Sequence, residues 1–157
     1  MAGKPSSGFT LVELLIVVII LGILAAVVIP QFNNVTVETR EAALTTDLRA
    51  LRNAIDLYHI QHNDTFPGTI GGATNWANFI THMTTKTDVN GDPGTDHGPY
   101  LRSGIPRNPF NNFTTGTIGV IPGVADDLTG WYYDNTTGEI RANKTGTSLS
   151  GIDYIDL

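Results

Sequence analysis

The chain has 157 residues, a formal net charge of −6, no cysteine and only 15% charged residues. That size suggests one domain plus an appendage. The negative balance argues against a nucleic-acid binder that works by neutralising phosphates, although nine Lys and Arg leave local basic sites open. The missing cysteines exclude disulfides, thiolate metal sites and a cysteine nucleophile.

The first eight residues, Met1 to Gly8, are polar and carry Lys4. Gly8-Phe9-Thr10-Leu11-Val12-Glu13 follows, and from Leu14 to Ile29 every residue is apolar or glycine. Counted from Phe9, the segment is about 21 residues, or roughly 32 Å as a helix, which is long enough to cross a bilayer. A cleaved secretory signal would have a shorter apolar core without an acid inside it, and here the run continues past Ala25-Ala26. Lys4 places the N-terminus in the cytoplasm by the positive-inside rule and the remainder outside it. Glu13 is the unusual residue, because a charge deep in a bilayer costs roughly 2.5–3.5 kcal/mol on insertion scales and usually has a partner.

With Gly8, Phe9, Thr10, Glu13, Gly22 and Pro30 in these places, the chain resembles the type IV prepilin family of pilins and type II secretion pseudopilins. The resemblance implies residues 1–8 as a leader, 9–30 as a transmembrane and filament-core helix half, and 31–157 as an amphipathic helix half plus head. It implies cleavage by a prepilin peptidase between Gly8 and Phe9, with N-methylation of Phe9. It also implies that Glu13 pairs with the Phe9 amine of an adjacent subunit and sets axial register. Phe9 and Glu13 are four residues apart and are therefore expected on one helix face. The resemblance further implies that Gly22 to Pro30 is a stretch that can melt as the subunit leaves the membrane for the filament. A simple kink or a helix end at Pro30 is the alternative, because a proline inside a helix removes one hydrogen bond.

Val37, Leu44, Leu48, Leu51, Ile55, Tyr58 and His62 follow at helical spacing. This apolar stripe reads as domain core. The helix should end near Asn63-Asp64, ahead of Pro67-Gly68. One helix from Phe9 to His62 would be roughly 80 Å long. Ala73 to Met83 reads as a short helix with Trp76, Phe79, Ile80 and Met83 inward. Asp88-Val89-Asn90-Gly91-Asp92 resembles the start of a calcium loop, but Pro93 and Pro99 stand where an EF-hand needs glycine and an acid, so an Asx-rich turn is expected.

Between Tyr100 and Asn112, Tyr100-Leu101, Pro106, Asn108-Pro109, Phe110 and Asn111-Asn112 resemble a passage of the major (G-type) pseudopilin of type II secretion. Tyr100, Leu101, Ile105 and Phe110 are expected to pack this loop on a sheet. Trp131 to Asp134, a turn through Asn135 to Gly138, and Glu139 to Ala142 read as a β-hairpin. Val120-Ile121 is a candidate earlier strand, and 152–157 a final edge strand. The expected class is α+β and pilin-like, a long N-terminal helix packed on a small antiparallel sheet.

Ser148, Ser150 and Asp153 surround Gly151 in a turn comparable to one that holds calcium in major pseudopilins. Ca2+ is therefore a candidate ligand there, with one carboxylate nearby before Asp156. Five Asn-x-Ser/Thr triplets begin at Asn34, Asn63, Asn112, Asn135 and Asn143, as chance supplies in a chain rich in Asn and Thr. His59 and His62 lack further ligands at metal spacing, no serine has nucleophile-elbow flanks, and no phosphate loop is present. No catalysis is expected.

The resemblance therefore implies an inner-membrane precursor, single-pass with its head in the periplasm, which polymerises into a helical homopolymer. Its expected partners are itself, the peptidase, the inner-membrane assembly platform, minor pseudopilins and, before assembly, membrane lipid. Two alternatives stay open: a type IV pilus subunit for adhesion, motility or DNA uptake, and a signal-anchored binding protein that does not polymerise.

Overall fold

The structure, a computed structural model, describes residues 8–157, except the side chains of 27–34. The chain divides into two compact units, Met1–Glu38 and Thr39–Leu157. Helix α1, Leu11–Gln61, contributes residues to both.

In the first unit α1 is apolar on every described face from Leu14 to Ala26, and Leu14 to Leu24 are exposed. A helix hydrophobic all round is one that is to be covered by lipid or by other helices. Among the described residues, no helix is long and apolar enough to cross a membrane. The apolar run continues through residues 27–29, whose side chains lie outside the described set.

In the second unit the stripe on α1 becomes the floor of the core. Leu44, Leu48, Leu51, Ile55, Tyr58 and His62 are each at most 1% exposed, whereas Val37, in the first unit, is half-buried. The helix stops at Gln61, and Asn63 and Asp64 follow with φ of 51° and 57°, a left-handed geometry that asparagine and aspartate tolerate. Next come a two-residue hairpin, β1 (Thr69–Ile70) and β2 (Ala73–Thr74), and helix α2 (Trp76–Thr84). Asn75 caps α2 by accepting the Asn78 N–H at 2.9 Å. This cap explains why the helix starts at Trp76 and not at Ala73.

The sheet has three strands in the order β3 (Gly116–Ile118), β4 (Trp131–Tyr133), β5 (Ile140–Ala142). β4 and β5 form the expected antiparallel hairpin, closed by Asp134 and Gly138. β3 joins β4 in parallel register, Gly116 opposite Trp131. The fold is thus α+β, a long N-terminal helix with a small sheet.

Two strand expectations are corrected. Val120-Ile121 is not a strand. The pairing lies earlier, at Gly116–Ile118, and Val120 is 91% exposed. Residues 152–157 form a single bridge, Thr147 to Asp153, and then a 3-10 turn, Tyr154–Asp156, in place of an edge strand. Tyr154 and Ile155 are both buried there, Tyr154 in the main core and Ile155 in a second cluster with Ala125 and Tyr132.

Buried aromatics tie the loops to this core by their polar ends. Trp131 Nε1 donates to the Pro106 carbonyl at 3.1 Å, the Tyr133 hydroxyl to that of Pro67 at 3.1 Å, and Trp76 Nε1 to that of Thr114 at 3.1 Å. Each ring fills the core while its one polar atom holds a loop. Gly138, at φ 76°, leaves room for the Phe66 ring, which a Cβ would strike.

Leu48 and Leu57 on α1 separate the core face from the solvent face, at 1% and 47% exposure. Leu48→Ala should lower the unfolding free energy by about 2–5 kcal/mol. Leu57→Ala should cost less than about 1 kcal/mol. Denaturant unfolding of the full-length chain in detergent, followed by tryptophan fluorescence, measures both.

Candidate functional site

The N-terminal motif is built around a helix start. Gly8, Phe9 and Thr10 precede α1, and Phe9 is 86% exposed. Thr10 donates its backbone N–H and its hydroxyl to Glu13 Oε2, each at 2.8 Å, and its Oγ1 accepts the Glu13 N–H at 3.2 Å. This is a reciprocal capping box, in which Thr and Glu three residues apart satisfy each other's free donors at a helix N-terminus. The sequence reading missed Thr10 as the cap, although Thr-x-x-Glu before an apolar run is its signature. Phe9 lies ahead of the helix, so in this chain Phe9 and Glu13 do not share a helix face. The structure brings Glu13 to Thr10.

Gly22 lies within α1 with nothing within 4 Å of the Cβ it lacks. Pro30 is also inside α1, so the helix end considered for that position does not occur. The rest of the Gly22–Pro30 reading falls partly on side chains outside the described residues.

The second candidate is the C-terminal turn. The Ser148 N–H donates to the Ile152 carbonyl at 2.8 Å, the Ile152 N–H to Ser148 Oγ at 3.1 Å, and Gly151 turns the chain at φ 85°. Ser148 and Ser150 are brought together, hydroxyl to hydroxyl at 2.9 Å, whereas Asp153 Oδ1 accepts the Thr147 hydroxyl at 3.1 Å. A calcium ion takes six to eight oxygens from carboxylates, backbone and amide carbonyls and water. The side chains of this turn offer two mutually bonded hydroxyls and one carboxylate towards such a shell. Among the described residues no three His, Asp or Glu side chains gather to hold a metal.

What fixes this turn is Glu41, on α1. Its Oε1 accepts the Leu149 N–H at 2.8 Å and the Tyr154 hydroxyl at 2.9 Å. Burial and the adjacent Glu41 carboxylate push the Tyr154 hydroxyl up to about 12. Glu41 lies 108 residues from Leu149, and no local pattern in the sequence announces the pair.

The passage from Tyr100 to Asn112 packs as expected. Tyr100 and Leu101 donate their N–H groups to the Met83 carbonyl at 2.9 and 2.8 Å, and Leu101, Ile105 and Phe110 lie against the core. Its asparagines are structural. Asn108 Nδ2 donates to the Gly130 carbonyl at 2.9 Å, and Asn111 Nδ2 to those of Thr129 and Asn143 at 2.9 and 3.1 Å. Asn143 is fully buried and accepts the N–H groups of Asp126 and Asp127. The Asn143 triplet is therefore closed to modification. Asp88 Oδ1 accepts the N–H groups of Asn90 and Asp92, the Asx turn expected there.

The histidines part company. His59 stacks on Phe66 with ring centroids 4.0 Å apart, and His62 on Tyr58 at 3.7 Å. Those rings serve packing.

Comparison with known proteins follows the same outline. The family model for the prokaryotic N-terminal methylation motif matches residues 3–29. The type II secretion system core protein G of Pseudomonas aeruginosa is 30% identical over 144 residues, covering 86% of this chain and 100% of that protein. Its namesake from Vibrio cholerae is 33% identical over 110 residues, 69% of this chain and 68% of that one. A fimbrial protein of Pseudomonas aeruginosa is 45% identical, but over 53 residues, 34% of each chain. No solved structure matches. With a methylation motif at its start and a relative matched from end to end, the chain belongs to the core protein G family of type II secretion systems, the major pseudopilins.

Proposed function

We propose that this chain is the repeating structural subunit of a pilin-like filament, the major pseudopilin of a type II secretion system. The observation that carries the reading is the reach of the similarity. It covers all of the secretion core protein G from Pseudomonas aeruginosa, whereas that to the fimbrial protein stops at a third of each chain. The match over the greater length favours secretion over a pilus for adhesion, motility or DNA uptake.

In this reading residues 1–8 are removed by a prepilin peptidase, and the amine of Phe9 becomes the methylated N-terminus. Residues 9–30 hold the subunit in the inner membrane, surrounded by lipid, with the head in the periplasm. The same apolar face then moves into contact with other copies on an inner-membrane platform, with minor pseudopilins completing the assembly. The exposed surface from Leu14 to Leu24 is the side of the molecule that gains from either environment. The subunit acts by packing and carries out no chemistry on a substrate.

Glu13 has two tasks here. It caps α1 through Thr10, and as a carboxylate it attracts the terminal amine of a neighbour. The two are separable, because glutamine also closes a capping box but carries no charge. Glu13→Gln should keep wild-type helicity by circular dichroism and insert into membranes, yet yield filaments at least about tenfold less abundantly, a loss worth about 1.4 kcal/mol. Filament counts by electron microscopy decide this, and wild-type numbers would leave Glu13 as a helix cap alone. Intact-mass analysis of protein from cells with active peptidase should give a chain that starts at Phe9 and carries one methyl group. A chain still starting at Met1 would contradict the processing.

A further inference from the structure

His82 is the one described group whose buried polar atom lacks a partner. It lies in the last turn of α2, is 1% exposed, and its Nε2 has no hydrogen bond. Its other nitrogen fixes the tautomer. The Gly68 N–H donates to Nδ1 at 3.1 Å, so Nδ1 carries a lone pair and the neutral ring holds its hydrogen on Nε2. The Gly68 carbonyl in turn accepts the Asn75 N–H at 3.1 Å, and Asn75 is the N-cap of α2. His82, Gly68 and Asn75 thus close a ring of contacts around the β1–β2 hairpin. Gly91 shuts the other side, where a Cβ would stand 3.4 Å from Nε2 and 2.6 Å from the Tyr58 hydroxyl.

We propose that His82 is a proton-operated latch: uptake of a proton from solvent at Nδ1 expels the Gly68 amide and frees the segment from Gly68 to Asn75, while the α1 core stays packed. The conflict is geometric. With both ring nitrogens protonated, two N–H donors would face each other across 3.1 Å, and the Gly68 backbone N–H cannot turn into an acceptor. His62 escapes this conflict. Its Nδ1 donates to the Tyr58 carbonyl at 2.8 Å and its Nε2 meets the Thr87 hydroxyl at 2.9 Å, and that hydroxyl can rotate from donor to acceptor.

The groups around His82 set the range. Tyr58 and His62 face it from α1 and Asp92 from the turn over it, while Asp88, His97 and Tyr100 lie one contact further out, beside Tyr58 and His62, and Tyr133 of β4 beside Pro67. The Gly91 backbone, Asp92 and the C-terminus of α2 favour a charged ring. Burial, then His62, outweigh them and hold the imidazole down at about 4. A folded value below the ordinary 6.5 means that the latch is fully stabilising above pH 6.5 and is lost as the pH falls towards 4.

The test is an NMR titration of the full-length chain in detergent micelles from pH 7 to about pH 3, one unit below the depressed value. The amide signals of Gly68 and Asn75 should move together with the His82 Nδ1 signal, and their exchange protection should fall at least about tenfold, the factor that one pH unit below a pKa represents. The Leu48 and Ile140 amides should hold through the same range. His82→Asn keeps a permanent acceptor near the Nδ1 position and should abolish the transition, whereas His62→Gln should retain it. The proposal is overturned if His82 titrates at its ordinary value, if Gly68 stays protected while His82 takes up its proton, or if the transition survives in His82→Asn. The wild-type titration alone is decisive should that variant fail to fold.

Discussion

One face of α1 carries the second unit. Leu44, Leu48, Leu51, Ile55, Tyr58 and His62 recur at the spacing of a helix and meet α2 and the small sheet across them. Burying each of the large apolar ones is worth about 1.5–3 kcal/mol. The strands are two or three residues long and could not stand alone. Their stability comes from the helix beneath and from aromatic rings that pack on it while holding a loop carbonyl. The order of causes therefore runs from helical periodicity to core, and from core to loops.

The N-terminal motif follows a different logic. An acid ahead of an apolar run looks costly until its partners are counted. Thr10 supplies two donors at the place where a helix has unsatisfied N–H groups and a positive end. The same carboxylate therefore begins the helix and remains within reach of chemistry outside it. Gly8 and Phe9, just ahead of this cap, lie outside regular secondary structure.

Much of this was legible from the residues alone. The stripe on α1, the hairpin from Trp131 to Ala142 and the Asx turn at Asp88 are local patterns, and local patterns survive folding. The strand at Gly116–Ile118 was not legible, because its partner is parallel and distant, and three residues of Gly, Thr and Ile carry no alternation worth reading. The C-terminal turn was misread as a strand, because alternation in Ile152–Leu157 is indistinguishable from a turn that buries Tyr154 and Ile155 until the core is known. The Glu41 contact with Leu149 and Tyr154 depends on tertiary closure, and so does the burial of Asn143. Thr10 is the exception: its signature was present and was overlooked beside the more conspicuous Glu13.

The loop-holding amides have one more consequence. Asn108, Asn111 and Asn143 anchor the 126–130 loop through amide donors and acceptors, Asn143 also donating to Thr129 and to the Asp126 carboxylate, and Lys144 pairs with Asp127 in the same loop. Ion pairs on an exposed surface weaken as electrolyte screens them, whereas buried amide contacts are screened far less. When the surrounding medium swings between dilute and briny, the amide contacts of this loop hold and the Lys144–Asp127 pair is the part that slackens.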